Sequence, residues 1–384
     1  MPIHFTEAEF AARLVRAQAA LETQGLDAVL LFAPESHLWL TGYDTFGYAM
    51  FQCMVLTVSG HIHLLTRMPD LRQARHTSVL PEEQIHIWNE TQGSDPAQDL
   101  RALVFRLLAP DARIGIETQT VGLTDWNGQR VRAAFGGALV EASDVIRTLR
   151  RVKSPAEIAM HRRAAALSDD ALDAAIAVTH SGAWEGDILA QMQGAVFRGG
   201  GDYAGNEFVI GSGPGALLCR YFSGRRHLDP QDQLTLEWSG AYARYHAAMM
   251  RTIVIGRPNP AQIRMHAAAA EAIEACEHAI RPGAPMGDVF AAHARVFDAH
   301  GMSHARLQAC GYGMGAVYNP IWVDFPMFYE GNPLLMQAGQ VFFLHMILMD
   351  SAAGLAACLG HSVLVTANGV ERLSRHGQGL IVLS

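Results

Sequence analysis

The chain has 384 residues, of which 50% are hydrophobic, enough apolar sequence to bury a sizeable core and to form two domains. Its 29 Lys and Arg residues against 37 Asp and Glu residues give a net charge of -8. The basic residues are dispersed, which excludes nucleic acid as an expected partner. His345, Asp350 and His361 interrupt the longest apolar stretch, so we expect no membrane span, which needs ~18 uninterrupted apolar residues.

The cysteines and the amino-terminal residues indicate the compartment. Five cysteines are scattered with no Cys-x-x-Cys pair, which favours a reducing compartment over a disulfide framework. They are Cys53, Cys219, Cys276, Cys310 and Cys358. The first ten residues are acidic and not apolar, unlike a secretory signal peptide. We therefore predict a cytoplasmic protein.

The first 150 residues alternate helical and strand-like patterns. Thr6 and Glu9 predict a capping box at the start of a helix that Gly25 ends. Short apolar runs that read as strands follow it: Ala28–Phe32, Cys53–Val58, His61–Leu65, Ile114–Ile116 and Ala138–Val140. Helical stretches lie between these runs, so residues 1–150 are predicted to form a small α/β domain.

A second domain is predicted over residues 151–384. Ser154, Pro155 and Glu157 have the pattern of a helix start, and the helix should continue to about Val178. Three further helical patterns follow, at Gly186–Phe197, Pro260–Ile280 and Met286–His300. Between them lie strand-like segments at Glu207–Ile210, Gln233–Trp238, Arg244–Ile255, Val341–Met349 and His361–Thr366. Antiparallel strands with helices grouped on one side predict an α+β fold.

The densest chemistry lies in the two strand-like segments around residues 233–255. A turn at Tyr242-Ala243 would place Glu237 opposite Ala248, on the same face as His246. Glu237 would then point from an apolar strand toward a small residue. Such a carboxyl should have a raised pKa through desolvation, as site carboxylates often do. The alternative is a structural Glu that pairs with an Arg at the end of the sheet.

At this point the sequence resembles the creatinase/aminopeptidase P family, which has the pita-bread fold. The resemblance covers nearly the whole chain and rests on the order and spacing of several motifs. They are LWLTGYDTFGY (Leu38–Tyr48), LRRVKSPAEIAMHRRAA (Leu149–Ala165), IGSGPGALLCRY (Ile210–Tyr221), the hairpin ending in MRT (Met250–Thr252), GYGMG (Gly311–Gly315) and GHSVLVTANGVERLS (Gly360–Ser374). The resemblance implies a small N-terminal creatinase-like domain, a C-terminal pita-bread catalytic domain and a homodimer.

Metallopeptidases of this family hold two divalent metals with two Asp, one His and two Glu. In this sequence, those positions fall on Glu237, Ala248, Tyr312, His345 and Gly360. None of the five keeps the residue of the family, and a dinuclear site needs oxygen ligands that bridge both ions. Two further catalytic histidines of the family fall on Arg220 and Asn319. We therefore predict a protein without a metal or other cofactor.

The family also has a metal-free branch. Creatinase and ectoine hydrolase use the same scaffold to hydrolyse C–N bonds of small amidine or guanidine compounds. The hairpin here resembles that of ectoine hydrolase at Glu237, Gly240, Arg244–His246 and Arg251-Thr252. The resemblance implies a metal-independent hydrolase that cleaves a non-peptide C–N bond of a small carboxylate-bearing compound. Two alternatives stay open: a metal-dependent Xaa-Pro aminopeptidase or dipeptidase, and a non-catalytic small-molecule-binding homologue.

The predicted catalytic residues are Glu237, His345 and His246. Glu237 would act as nucleophile or general base, His345 would give a proton to the departing nitrogen, and His246 would orient substrate or water. Arg220 and Tyr312 are predicted to bind the substrate, with Arg220 on its carboxylate. Each has a structural alternative: a loop ion pair for Arg220, a satisfied core residue for His345 and ordinary packing for Tyr312.

Phe46 and Tyr48 complete the predicted site. They lie in the stretch with which relatives reach into the pocket of the partner subunit, so the resemblance assigns them to substrate binding across a homodimer. The alternative is an exposed aromatic loop. The exact substrate stays open.

Overall fold

The computed structural model describes residues 3–218, 220 and 224–384, which form two compact units that divide between Arg150 and Arg151. Cys219 and Tyr221, which belong to the Gly-rich motif above, lie outside the described residues. The other four cysteines are free thiols.

The first unit contains helices and strands in alternation. Its helices are α1 (Glu7–Gln24), α2 (Pro34–Thr41), α3 (Leu71–Thr77), α4 (Pro96–Leu107), α5 (Asp125–Ala134) and α6 (Asp144–Leu149). Its strands are β1 (Ala28–Leu31), β2 (Cys53–Thr57), β3 (Ile62–Arg67), β4 (Ile85–Trp88), β5 (Ile114–Ile116) and β6 (Val140–Glu141). The Thr6 side chain caps α1 by accepting a hydrogen bond from the Glu9 N–H, and Gly25 ends the helix with a φ of 61°, as the sequence predicts. The other half of the predicted capping box is not formed, because the Glu9 carboxylate accepts a hydrogen bond from Arg13 instead.

Within the described residues, one mixed sheet orders the strands β4-β3-β2-β1-β5-β6. β1 is antiparallel to β2 and parallel to β5, and all four of its residues are buried. Helices α1, α2 and α6 share one apolar cluster with the sheet, and α4 and α5 share another. A sheet buried on both faces is the α/β arrangement that the alternating pattern predicts.

The second unit combines a mainly antiparallel sheet with four long helices among its described residues. The helices are α7 (Pro155–Val178), α8 (Glu185–Arg198), α9 (Pro260–Ala279) and α10 (Met286–Ala299). The strands are β7 (Val209–Ser212), β8 (Asp232–Tyr242), β9 (Tyr245–Ile255), β10 (Ala309–Gly313), β11 (Asp324–Tyr329), β12 (Val341–Asp350), β13 (Leu355–Thr366), β14 (Gly369–Arg372) and β15 (Ile381–Leu383). This is the predicted α+β fold.

The sheet of the second unit follows the order β11-β10-β12-β13-β9-β8-β7, with β14 beside β13 and β15 beside β9. α7 and α8 share an apolar cluster with β8 and β9, whereas α9 and α10 share one with β12 and β13. Ser154 and Glu157 form the predicted capping box at the start of α7. The helices therefore support the strands β8, β9 and β12, which carry the candidate site residues Glu237, His246 and His345.

The hairpin of β8 and β9 differs from the prediction in its pairing. Glu237 lies opposite Met250, not opposite Ala248, so the predicted register was wrong by two residues. The two turn residues are Ala243 and Arg244, with φ values of 50° and 67°, as in the tight turns whose twist suits a β-hairpin. Because side chains alternate with period two, a shift of two residues leaves Glu237 and Ala248 on the same face.

Across the described part of the chain, no helix is both long and apolar enough to cross a membrane.

Candidate active site

A cavity of about 370 Å³ opens in the second unit. The polar side chains in its lining are those of Asn206, Glu207, Arg220, Glu237, Tyr312 and His345. Its apolar wall includes Val209, Ile321, Trp322, Met327 and Ile347. A mostly apolar cavity with a few convergent polar groups is typical of small-molecule sites. Four residues predicted from the sequence, Arg220, Glu237, Tyr312 and His345, therefore meet in one place.

Glu237 lies on β8 and is partly exposed toward this cavity. Desolvation raises the pKa of its carboxyl to about 7. The positive charge of Arg220 and a hydrogen bond from the Tyr312 hydroxyl lower the pKa again, but they do not cancel the desolvation. Glu237 therefore changes its charge near neutral pH, where a general base or nucleophile is most useful.

Tyr312 lies on β10 and lines the cavity together with Glu237. Its hydroxyl accepts a hydrogen bond of 2.8 Å from the Trp322 indole N–H and donates its own proton to Glu237. Burial, followed by the nearby Glu237 charge, raises the pKa of Tyr312 well above its ordinary value. The hydroxyl thus stays protonated and is a fixed donor at neutral pH.

His345 lies on β12, almost buried with 7% of its surface exposed. Its ring is centred 5.5 Å from the Tyr312 ring and 5.6 Å from the Phe343 ring. Burial, with a smaller contribution from the Arg220 charge, lowers the pKa of His345 to about 4. The imidazole is therefore neutral at neutral pH, and its buried Nδ1 atom has no hydrogen-bond partner among the described residues.

Arg220 is exposed and enters the cavity from the segment that follows β7 and a short 3-10 helix, Gly213–Leu217. Polar contacts fix this segment where it leaves the sheet. The Gly213 N–H donates to Asp232 Oδ1 at 2.9 Å, and Arg226 Nη1 donates to Ser212 Oγ at 2.7 Å. The charge of Arg220 lowers the pKa of Glu237, of Tyr312 and of His345, which is consistent with its place in the same cavity lining.

The structure does not bring His246 to the cavity. Its Nε2 atom accepts a 2.8 Å hydrogen bond from the Gly205 N–H, and its Nδ1 atom lies 2.7 Å from the Arg244 carbonyl oxygen. Because Nε2 accepts, Nδ1 carries the proton and donates it. Both ring nitrogens are thus engaged and the residue is fully buried. The predicted catalytic role of His246 is therefore wrong. Through Gly205, its ring instead positions the segment that precedes β7.

Phe46 and Tyr48 belong to the first unit and are not among the residues that line the cavity. Phe46 is 77% exposed and Tyr48 is buried, and their rings meet edge to face at 5.7 Å. The exposed ring of Phe46 is accessible for a contact with a partner subunit, and its assignment to substrate binding stays a prediction.

The donor set does not fit the two metals of the metallopeptidases. Ala248 and Gly360 offer no side-chain ligand, and a Cβ atom at Gly360 would lie 2.8 Å from the Phe343 ring. That ring therefore fills space that a longer side chain at position 360 would need. Within the described residues, no group of three or more His, Cys, Asp or Glu side chains is arranged to hold a metal ion. Glu237 and His345 alone lack the bridging oxygen ligands of a dinuclear site.

A second carboxyl with a raised pKa, that of Glu117, has a structural role and is a useful comparison with Glu237. Glu117, in the first unit, has a pKa raised to about 7 by burial. Its oxygens accept hydrogen bonds from the N–H groups of Phe32 and Ala33 and from the Ser36 hydroxyl, at 2.5 to 2.9 Å, so it fixes the segment that leads into α2. Glu237 has a similar pKa but opens to a cavity, which distinguishes it from this structural carboxyl.

Sequence reasoning missed Glu207, Asn206 and Trp322 in this site. Glu207 could have been found, because it precedes the β7 residue Val209 by two positions and therefore shares its face. Val209 lies opposite Glu237. Trp322 comes from the segment between β10 and β11, where no periodic pattern marks its position.

Comparison with known proteins shows the family to which the chain is similar along most of its length. The model of metallopeptidase family M24 matches residues 159–367, and that of the creatinase/prolidase N-terminal domain matches residues 13–152. Ectoine hydrolase from Halomonas elongata is 25% identical over 98% of each chain. The probable dipeptidase PepE of Mycobacterium tuberculosis is 26% identical over 97% of this chain and 96% of its own. The crystal structure of dipeptidase PepE from Mycobacterium ulcerans superposes with a TM-score of 0.86 at 26% identity, over 99% of each chain.

Proposed function

The chain belongs to metallopeptidase family M24, a family of hydrolases with the pita-bread fold, and we propose that it is a metal-independent member that cleaves a non-peptide C–N bond. The substrate would be a small carboxylate-bearing compound with an amidine, guanidino or amide group. One observation carries this proposal: Glu237, whose pKa is near neutral, lines a cavity with Arg220 and Tyr312, and no group of three or more metal-ligating side chains is found among the described residues. The whole-length similarity to ectoine hydrolase supports it.

Arg220 would bind the substrate carboxylate. Its guanidinium can make two parallel charge-assisted hydrogen bonds to a carboxylate, which orient the substrate as well as hold it. The apolar wall formed by residues such as Val209, Trp322 and Ile347 would exclude water from the remainder of the substrate. The scissile carbon would then lie above Glu237.

Glu237 would activate the attack on that carbon. As a general base it would take a proton from water while the water oxygen bonds to the carbon and the C=N or C=O π electrons move to the heteroatom. As a nucleophile its carboxylate oxygen would form the new C–O bond while the π electrons move to the heteroatom. The C–N bond would then break, with a proton from water going to the nitrogen, and a further water would hydrolyse the covalent Glu237 intermediate and free the carboxylate. The Tyr312 hydroxyl, which donates to Glu237, would keep the attacking oxygen in place in either case.

The departing nitrogen needs a proton, because an amide anion is a poor leaving group. His345 is mostly neutral at neutral pH, so it is a weak source of that proton in the free protein. In the general-base route, the proton that Glu237 has just taken is available and can move to the nitrogen as the C–N bond breaks. His345 would hold the nitrogen by a hydrogen bond. A substrate carboxylate on Arg220 would also offset part of the charge that lowers the pKa of His345.

The second candidate is a metal-dependent peptidase, favoured by the similarity to PepE in sequence and structure. Chelation separates the two. We expect activity and melting temperature to be unchanged after treatment with a chelator and dialysis, with no stoichiometric zinc, iron or manganese by elemental analysis. Loss of either property on chelation, with recovery when metal is added back, would support the peptidase and contradict our proposal.

The raised pKa of Glu237 also predicts a pH-dependent effect on stability. The folded pKa of about 7 exceeds the ordinary value of 4.5, so folding favours the protonated form and the ionised form destabilises the protein. The destabilisation is absent below pH 4.5 and grows as the pH rises through 7. Glu237→Gln should therefore raise stability at pH 8 by about 1–2 kcal/mol, since partial exposure reduces the full effect.

Thermal unfolding at pH 5 and pH 8 measures this difference. The gain in melting temperature for Glu237→Gln should be larger at pH 8 than at pH 5. Glu330→Gln is the matched control, because Glu330 is exposed and does not line the cavity. An equal gain at both pH values would mean that the Glu237 carboxyl has an ordinary pKa.

We further propose a homodimer in which Phe46 contributes to the site of the partner subunit. Because Phe46 is 77% exposed, Phe46→Ala should leave the melting temperature of the first unit nearly unchanged. It should raise KM by roughly 10-fold, the scale of a single aromatic contact residue. Light scattering and steady-state kinetics test both points. A wild-type protein that is monomeric at micromolar concentration and fully active would refute the arrangement.

A further inference from the structure

Glu207 lies in the cavity, and its carboxylate has no partner among the residues that the structure describes. The residue is exposed and lines the cavity together with Glu237 and Arg220. Its backbone carbonyl accepts a 3.0 Å hydrogen bond from the Asn206 side chain. Its side chain makes no ion pair or hydrogen bond to the part of the protein that the structure describes. A charged group that projects into a binding cavity and is not used by the fold is available to a ligand.

The position of Glu207 follows from the pairing of β7 and β8. Val209, the first residue of β7, lies opposite Glu237. Glu207 precedes Val209 by two residues, and both side chains line the cavity. Arg220 follows the other end of β7, after the 3-10 helix. Glu207 and Arg220 therefore enter the cavity from segments that flank β7, and Glu237 lies beside the strand between them.

The charges of the cavity do not suit a simple anion. Among the described lining residues, Arg220 carries the positive charge, and Glu207 and Glu237 are the carboxyl groups. A substrate whose single charge is a carboxylate would be attracted by Arg220 but repelled by Glu207, and by Glu237 once it ionises. A substrate that also carries a positive nitrogen group complements all of these charges.

We propose that Glu207 is a specificity-determining residue that binds a positively charged nitrogen group of the substrate, so that the site selects a zwitterion over an anion with a neutral head. The identity of the cavity as the substrate site rests on the proposed function. The carboxylate would accept charge-assisted N–H hydrogen bonds from the nitrogen group. Because Glu207 is exposed, its contribution should weaken as the salt concentration rises.

Two probes of nearly equal shape test this charge selection without turnover. 4-Guanidinobutyrate and 4-ureidobutyrate both carry a carboxylate, but the positive guanidinium of the first is a neutral urea in the second. Titration calorimetry would compare their affinities for the wild type, Glu207→Gln and the surface control Glu330→Gln, each at low and high salt.

We expect the wild type and Glu330→Gln to bind the guanidino probe about 10-fold more tightly than the ureido probe at low salt, the scale of one charge-assisted hydrogen bond. The preference should shrink at high salt. Glu207→Gln should abolish most of it through weaker binding of the guanidino probe, with the affinity for the ureido probe unchanged.

Three results would overturn the proposal: equal affinity of the wild type for both probes, binding of neither, or a preference that Glu207→Gln retains. An equal loss of affinity for both probes in Glu207→Gln would also contradict charge selection. These results are independent of the hydrolase proposal, because a protein that failed the catalytic tests below could still show the charge preference.

Discussion

Glu237→Gln is expected to lower turnover at least ~100-fold, the usual scale for loss of a general base or nucleophile, while substrate still binds. Glutamine keeps the shape of the side chain and can still interact with the Tyr312 hydroxyl, but it has neither a basic oxygen nor a negative charge. The measurement is kcat and KM on a substrate found by screening cyclic amidines, guanidino acids and N-acylated amino acids. We expect kcat to fall far more than KM changes.

The pH profile provides a second readout of the same residue. In the proposed mechanism Glu237 acts as a carboxylate, and its pKa is raised to about 7, so kcat/KM should rise with pH and level off above about 7. Tyr312→Phe removes a hydrogen bond that lowers this pKa, and should therefore shift the profile to higher pH. This shift distinguishes loss of the hydrogen bond from a general loss of activity.

The matched control for Glu237→Gln is Glu330→Gln, which makes the same chemical change on the surface and should leave kcat and KM as they are. A Glu237→Gln protein with near-normal turnover on its true substrate would exclude the mechanism. Complete absence of turnover in the wild type over the screened classes, with a small molecule that stays bound and intact, would instead favour a non-catalytic binding protein.

Arg220→Met is expected to have the second largest effect, an increase in KM of roughly 10- to 100-fold, because a hydrogen bond to a charged group contributes about 1.5–3 kcal/mol. Methionine keeps much of the length of the side chain without its charge. Arg220→Lys should have a KM between those of the wild type and Arg220→Met, since an ammonium keeps the charge but cannot form the paired hydrogen bonds. Steady-state kinetics on carboxylate-bearing substrates measure both.

The ionisation of the site should change in the same variant. The Arg220 charge lowers the pKa of Glu237 and that of His345, so Arg220→Met should raise both. The rising limb of the pH profile should therefore move to higher pH together with the increase in KM. Arg225→Met is the control: Arg225 is exposed, close in sequence and absent from the cavity lining. Unchanged KM in Arg220→Met would show that the carboxylate binds elsewhere.

The sequence by itself determined the elements whose signals are local. Thr6 and Ser154 cap α1 and α7 through N–H groups three residues away, so a short stretch of chain contains the whole interaction. The face of Glu237 was also predictable, because alternation along a strand does not depend on the partner strand. The sequence also shows directly that Ala248 and Gly360 have no side chain that could bind a metal.

Only the tertiary structure determined which residues pair between strands and which side chains line the cavity. The partner of Glu237 depends on where the turn lies. The turn lies at Ala243 and Arg244, one residue after the predicted turn, so the residue opposite Glu237 is two positions later than predicted. β10 and β11 are short and interrupted by Gly311 and Pro326, so they lack the regular alternation that identifies a strand.

His246 and Glu207 show that a strand pattern alone does not identify the residues of a site. His246 was predicted in the site but lies outside it, and Glu207 was missed but lies in it. His246 shares the face of Glu237 on the hairpin, but the segment at Gly205 binds its ring and keeps it out of the cavity. Glu207 lies in a predicted strand that begins only at Val209 in the structure, yet it lines the cavity, because Val209 pairs with Glu237. Local pattern fixes which way a side chain points, but which side chains meet in a cavity depends on the packing of segments distant in sequence.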